Sequence, residues 1–421
     1  MELLMAKGII ESMNKNINTL LDNQILGPVL VLLFFMPQEY AIGVVAFKIW
    51  QYVQMSVFVL TLFAIVLKNK ITKRWLFFCG FYLCFYLVSS VVNSTFAVLS
   101  SNIYECAKGI AFISVCELYY QRSPKLLLRN VAIGGGLICL FHILSVAGVL
   151  LHLIPRFTPA AIGNYSATGI NYYFLTYDNE SVLYLLPAIV ALVLFGWAYS
   201  RLYLILGICL LSVSVVEFVA LDTVTALVSM GISVVGMGIA LVVGKLVNFN
   251  TRIPYKRLYT LTVTIMLALC VVIVIGVSSG AFAKVAILLG KDGNFSGRAE
   301  IWNSAIESVK LHPIFGRGRE GFEITRLVIG QTHVHNIILE ILYTGGILSL
   351  ALYVGGILSC VSELNTVKPE ITAFVYALSA VVAFFVAAYM DWYPSIPVTL
   401  FLFYAPVLVP NTIKPIDISN K

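Results

Sequence analysis

Residues 258–280 read LYTLTVTIMLALCVVIVIGVSSG, an apolar run without a charged residue, entered through Lys256 and Arg257. A helix needs about 20 mostly apolar residues to cross the hydrocarbon core of a bilayer, and this run supplies them. Working outward, further stretches of the same character lie at 24–40, 43–67, 75–94, 101–119, 130–154, 182–199, 202–219, 223–244, 335–358, 372–390 and 395–410. Only a thin turn at Pro37, Gln38, Glu39 and Tyr40 separates the first two, and the second carries Lys48. The composition agrees: of 421 residues, 60% are hydrophobic, 13% aromatic and only 11% charged, with a mean hydropathy of +0.94. Soluble domains carry about 25% charged residues. A soluble enzyme, a nucleic-acid binder and a disordered scaffold are therefore excluded. The expected fold is an all-α polytopic membrane protein with about 12 transmembrane helices.

The net charge of +7 reflects basic residues that hold short loops on the cytoplasmic side. Lys68, Lys70, Lys73 and Arg74 fill one such loop, and Arg122, Lys125 and Arg129 the next. Arg201 marks a third, and Lys245, Arg252, Lys256 and Arg257 a fourth. With twelve spans these loops, both termini and Lys368 all fall on one side. The N-terminal MELLMAKGIIESMNKNINTLLDNQ carries charges of both signs and no small-residue cleavage site, so no removable signal peptide is expected. Cys79, Cys84, Cys106, Cys116, Cys139, Cys209, Cys270 and Cys360 sit almost entirely in apolar runs without metal-ligand spacing. They read as small buried hydrophobes, so neither a disulfide nor a metal site is implied.

Two long loops face outward. The first, 155–181, is rich in Tyr, Asn, Ser, Thr and Gly. The second, 281–334, is the long charged one, with Lys284, Lys291, Asp292, Arg298, Glu300, Glu307, Lys310, Arg317, Arg319, Glu320, Glu323 and Arg326. Loops of this length are usually functional or disordered, and the pattern of this one is not that of disorder. Between Arg298 and Leu311, the apolar Ile301, Trp302, Ala305, Ile306 and Val309 share one helical face, opposite Glu300, Asn303, Glu307 and Lys310. Gly297 suits the start of this helix and Pro313 its stop. Such a helix is expected to lie along the outer membrane interface. The chain thus divides into a bundle of about nine spans over 1–280, an extracytoplasmic loop over 281–334, and about three C-terminal spans over 335–421.

The segment GRAEIWNSAIESVKLHPIFGRGREGFEITRLVIGQTHVHNIILEILYTGGILSLAL, residues 297–352, holds Arg298, Trp302, a Pro313-x-x-Gly316-x-Gly318 turn, His335-Asn336, Glu340 and Gly345-Gly346. In order and spacing it resembles the signature region of the O-antigen ligase and polysaccharide polymerase superfamily. Beyond it, only the number of spans and the position of the outer loop match that family. One departure stands out. Many relatives carry a Ser-Arg pair near the outer end of an earlier span, where this chain has Asp222-Thr223-Val224-Thr225 and no arginine. The resemblance implies a GT-C-like membrane glycosyltransferase that takes glycan from an undecaprenyl-pyrophosphate carrier on the outer face, without cofactor or metal. It implies lipid as surroundings, no nucleic acid, and a chain-length regulator as a further partner.

The residue chemistry suits this reading. Arginine presents a planar, permanently charged fork to phosphate oxygens. Arg298 at the head of its helix, and Arg317 and Arg319 around Gly318, are candidates for the leaving diphosphate, with Trp302, Gly316, Gly318 and Asn336 shaping the binding surface. His335 opens a span at its outward end, where the helix dipole disfavours imidazolium, so it is the candidate general base. His333, two residues away, is the alternative. Glu340 lies further in and is costly to bury without a partner. It is expected to orient His335 or a sugar hydroxyl. Glu105 and Lys108, three apart, should pair. Glu217, Asp222 and Asp391, with Trp392 and Tyr393 beside it, are further polar candidates, whereas His142, His152 and His312 read as structural.

Three functions fit in descending order. A polymerase would join lipid-linked oligosaccharide repeat units into a capsular, exopolysaccharide or O-antigen chain at the cell's inner or plasma membrane. A ligase would pass finished glycan to another acceptor. A 12-span transporter or flippase is the third reading. It is disfavoured because the halves 1–210 and 211–421 show no self-similarity and the long charged loop is off-centre.

Overall fold

The structure, a computed structural model, describes residues 2–155, 173–177, 179–246, 253–284, 297–365, 368–390 and 394–410. The principal helices are α1 (Glu2–Asp22), α2 (Leu26–Leu32), α3 (Val44–Leu67), α4 (Lys73–Val92), α5 (Leu99–Arg122), α6 (Pro124–Leu150) and α7 (Ser181–Tyr199). They continue as α8 (Arg201–Ala220), α9 (Val224–Leu246), α10 (Tyr255–Ser278), α11 (Arg298–Leu311), α12 (Phe322–Ile329), α13 (Ile337–Cys360), α14 (Ile371–Ala388) and α15 (Pro397–Val407). No strand forms among the described residues, and an isolated bridge pairs Pro369 with Pro410.

Among the described residues nine helices are long and apolar enough to cross a membrane: α3, α4, α6, α7, α8, α9, α10, α13 and α14. The three other expected segments depart from that form for separate reasons. Residues 24–40 hold only the short α2, which ends before Pro37. Asn18 and Gln24 touch Lys68 and Arg129, whereas Gln38 N–H donates to Phe174 C=O beyond the other end of the bundle. The segment therefore links the two ends in broken form. α5 has spanning length but carries Asn102, Glu105, Lys108 and Glu117, and it is sheathed by protein, with every residue from Cys106 to Tyr120 buried. α15 is short, fully buried and broken by proline and 3-10 turns.

Burial separates a core from a rim. In α7, 94% of the apolar window is buried, against 28–33% in α3, α8, α9 and α10, whose exposed Val, Leu and Ile face outward. That reversal of a soluble surface is what lipid selects. The basic-loop end is locked by a buried ion pair: Arg74 donates through Nε and Nη2 to Glu117, the second contact at 3.1 Å. Tyr404 Oη–H donates to the same carboxylate at 2.8 Å, and the guanidinium lies 4.2 Å from the Tyr404 ring and 4.6 Å from Tyr120. All eight cysteines are free thiols; six are buried, Cys84 is half-buried and Cys209 is exposed.

Candidate active site

The amphipathic α11 forms as the periodicity predicts, but its apolar face turns toward protein. Trp302 and Ala305 are fully buried with Ile301 against Val274 and Val277 of α10, Ile329 of α12, and Leu339 and Tyr343 of α13. The tryptophan expected on the helix's interfacial side thus packs on α10, α12 and α13. Burying an indole N–H requires an acceptor, and Trp302 Nε1–H donates to Val334 C=O at 2.9 Å.

Val334 is gripped from both sides, because its N–H donates to Glu340 Oε2 at 2.9 Å. Glu340 also accepts from Thr344 Oγ1 at 3.3 Å. The five-residue spacing between His335 and Glu340 thus has a use that same-face geometry does not suggest. The carboxylate reaches back over the helix start and fixes the backbone immediately before His335. That histidine has φ +59°, a left-handed conformation uncommon outside glycine. The centroids of the His333 and His335 rings lie 3.5 Å apart, and His333 Nδ1 lies 3.2 Å from Thr332 Oγ1.

Asn336 caps α13, its Oδ1 accepting from Ile338 N–H and Leu339 N–H at 3.1 Å each. Its Nδ2 donates to Tyr389 C=O at 3.1 Å, and Arg298 Nη2 donates to Met390 C=O at 3.3 Å. Both side chains therefore meet carbonyls just past the C-terminus of α14, the end that carries the negative side of the helix dipole. Asp391, Trp392 and Tyr393, which follow, lie outside the described residues, as do Lys291, Asp292, Arg252 and Asp178.

The Pro313–Gly318 turn inserts into a break in α13. At Gly346 the helix departs to φ 67°, ψ −172°. The backbone groups freed there find partners in the turn: Arg317 N–H donates to Tyr343 C=O (2.6 Å) and Gly318 N–H to Thr344 C=O (2.9 Å). In return Ile347 N–H donates to Pro313 C=O (2.9 Å) and Leu348 N–H to Ile314 C=O (3.2 Å). Unpaired backbone inside a membrane protein costs several kcal/mol per group, so this exchange lets the helix stay broken. Gly316 has φ +64°, and a Cβ there would sit 2.5 Å from the Thr344 backbone. Gly316 thus makes the fit between turn and α13, and Gly318 that between the turn and the end of α4, where a Cβ would stand 3.0 Å from Ser89 O.

The two arginines beside Gly318 differ. Arg317 Nε donates to both oxygens of Glu320 at 3.0 Å. Arg319 crosses to the other side, with Nη1 3.5 Å from Asn102 Oδ1 and its guanidinium 5.4 Å from the Tyr86 ring. Asn102 is fully buried and donates to Ser90 Oγ at 2.9 Å. Tyr86 sits on the π-helical turn Leu83–Val88 of α4, a local widening frequent at functional sites. Sequence reasoning missed Tyr86, Ser90 and Asn102, whose polar character inside apolar runs was the available signal.

Of the second-tier candidates, Lys108 and Glu105 pair at 2.6 Å. His142 Nε2 lies 3.2 Å from Glu217 Oε1, and its Nδ1 accepts from Leu175 N–H at 3.3 Å, tying α6, α8 and the end of the first outer loop together. Asp222 turns the chain between α8 and α9 at φ +52°. Among the described residues no group of three or more His, Cys, Asp or Glu gathers as metal ligands do.

Residues 218–354, about a third of the chain, match the O-antigen ligase family. The matched segment contains Arg298, Trp302, the 313–318 turn, His335, Asn336, Glu340 and Gly346, and leaves α4 and α5 outside. The chain has no significant match among curated proteins.

Proposed function

Taking the O-antigen ligase segment at 218–354 as premise, we propose that this chain polymerises lipid-linked oligosaccharide on the outer face of the inner or plasma membrane. The growing glycan leaves its undecaprenyl pyrophosphate and joins the repeat unit carried by a second one. The observation that carries the reading is the linkage at the head of α13: Trp302 and Glu340 hold Val334, the residue before His335, while Asn336 and Arg298 reach the adjacent carbonyls of Tyr389 and Met390.

In this mechanism His335 takes the proton of the acceptor hydroxyl. The hydroxyl oxygen then bonds to the anomeric carbon of the donor glycan as the carbon–oxygen bond to diphosphate breaks. Arginine charge stabilises the departing diphosphate. Glu340 acts as a positioning residue by holding Val334 N–H, and Asn336 fixes the start of the helix. General-base assistance is worth about 10²–10⁴ in rate, and a preorganised donor to developing charge about 10²–10³.

The test is deletion in the native host, complemented at matched membrane levels with wild type, Arg298→Ala and His335→Ala. Expected is loss of long polymer while single repeat units accumulate on the carrier. Full-length polymer stranded on its carrier would make the chain a ligase instead. Wild-type polymer from both variants would overturn glycan transfer at this site and return transport to the front.

A further inference from the structure

The 313–321 turn offers two arginines that are equivalent in sequence, flanking one glycine. Their surroundings are not equivalent. Arg317 is held by both carboxylate oxygens of Glu320, itself only 8% exposed, so the pair presents no net charge to an incoming anion. Among the described residues no carboxylate lies within ion-pair distance of Arg319. Its partners are a neutral amide oxygen and the face of a tyrosine, both of which orient a guanidinium without cancelling its charge.

The orienting amide belongs to Asn102, from a helix more than two hundred residues away in sequence and outside the family-matched segment. Asn102 is fully buried, and its Nδ2 is engaged by Ser90 Oγ, which turns its Oδ1 toward Arg319. The ring beneath comes from the π-helical turn of α4. Arg319 itself is half-buried, so the buried Ser90–Asn102 chain ends on a cation that an incoming anion can reach. Gly318, next to Arg319, donates its N–H to Thr344 C=O at 2.9 Å, and Thr344 Oγ1 donates at 3.3 Å to Glu340, which holds Val334 N–H beside His335. A short run of hydrogen bonds therefore joins the turn that carries Arg319 to the backbone beside the proposed base.

We infer that Arg319, held by the Ser90–Asn102 brace and the Tyr86 ring, is the arginine of this turn that binds the carrier diphosphate, whereas Arg317 serves the turn through Glu320. This rests on the glycan-transfer reading above. Asn102 is a positioning residue: it acts through Arg319 and need not touch substrate.

The experiment uses the full chain in nanodiscs, with undecaprenyl diphosphate as the binding probe and lipid-linked oligosaccharide as substrate. Arg319→Gln should weaken probe binding about tenfold or more, as loss of a charge-assisted contact does. Asn102→Asp keeps the shape but supplies a carboxylate that neutralises Arg319, so it should weaken the probe nearly as much. Ser90→Ala, a small change that spares the fold, should raise KM a few-fold with kcat little changed. Arg317→Gln/Glu320→Gln, which removes the pair without stranding its carboxylate, should leave probe affinity within about twofold. Undecaprenyl monophosphate and phosphatidylglycerol are the arms that separate carrier diphosphate from other membrane phosphate. Equal competition by either would overturn the assignment. So would a defect of the Arg317→Gln/Glu320→Gln variant as large as that of Arg319→Gln, or an Asn102→Asp variant that binds like wild type. If wild type binds the probe and transfers glycan while these variants are unaffected, the inference falls and the function stands. If wild type neither binds nor transfers, the function itself falls.

Discussion

Replacing Gly346 by alanine tests whether the break in α13 is built or incidental. The residue sits at φ 67°, ψ −172°, a region essentially reserved for glycine, where another residue stores about 1–3 kcal/mol. A Cβ would also stand 2.2 Å from Ile314 O and 2.5 Å from Gly316 N. Those are backbone atoms, with no rotamer to yield, so the turn must move. Movement stretches the bonds from Ile347 N–H to Pro313 C=O and from Leu348 N–H to Ile314 C=O. Each is worth about 1 kcal/mol net, and more if a group is orphaned away from water. The summed cost is about 3–5 kcal/mol. Gly238→Ala in α9 is the control, because a Cβ there meets nothing within 4 Å and gains about 0.5–1 kcal/mol of helix preference. The assay is the fraction of full-length protein that stays monodisperse after heating in nanodiscs, followed by transfer activity. A Gly346→Ala protein as heat-resistant as the Gly238→Ala control would refute the argument that turn and helix share one backbone ladder.

Two further outcomes follow from the basic-loop end of the bundle. Arg74→Met strands Glu117 without its cation and should cost about 3–5 kcal/mol, whereas Arg74→Met/Glu117→Leu removes both charges and should recover most of it in the same heating assay; a double variant no better than the single one contradicts the pairing. The hydrogen bond from Arg122 holds the Asp22 carboxyl below its ordinary value, with the charges of Arg122 and Lys68 adding to it. The folded-state value is the lower one, so this docking of α1 is present above about pH 4 and is lost as pH falls through the depressed value. Hydrogen exchange of α1 should show protection at neutral pH that Asp22→Asn reduces; unchanged exchange in that variant would refute the docking.

Much of this architecture is legible in the sequence because membrane spans advertise themselves by length and apolarity. Nine helices stand close to where the runs end. The limits are physical. Apolar content alone does not say whether residues 24–40 stay helical, and α5 is a full-length helix that its own polar residues keep within protein rather than lipid. The face of α11 could be read from Ile301, Trp302 and Ala305, but not what that face meets, because α10 and α13 are brought to it only by tertiary packing. Likewise Arg298, His335 and Glu340 form a pattern in sequence, yet the link from Glu340 to Val334 N–H depends on a chain reversal that no periodicity encodes. Arg317 and Arg319 look alike until Glu320 and Asn102 are seen beside them.

The exchange between the 313–318 turn and α13 also bears on how the chain is made. Residues 313–318 leave the ribosome before Tyr343, Thr344, Ile347 and Leu348, so the donors and acceptors that the broken helix needs already exist when it enters the bilayer. An α13 peptide made alone has no such partners, and the apolar surroundings would drive it to close its own hydrogen bonds as a straight helix. In the native order of synthesis the partners of the broken helix are therefore made before it. A permuted chain that delivered the turn after α13 would have to unpick a finished helix in order to seat it.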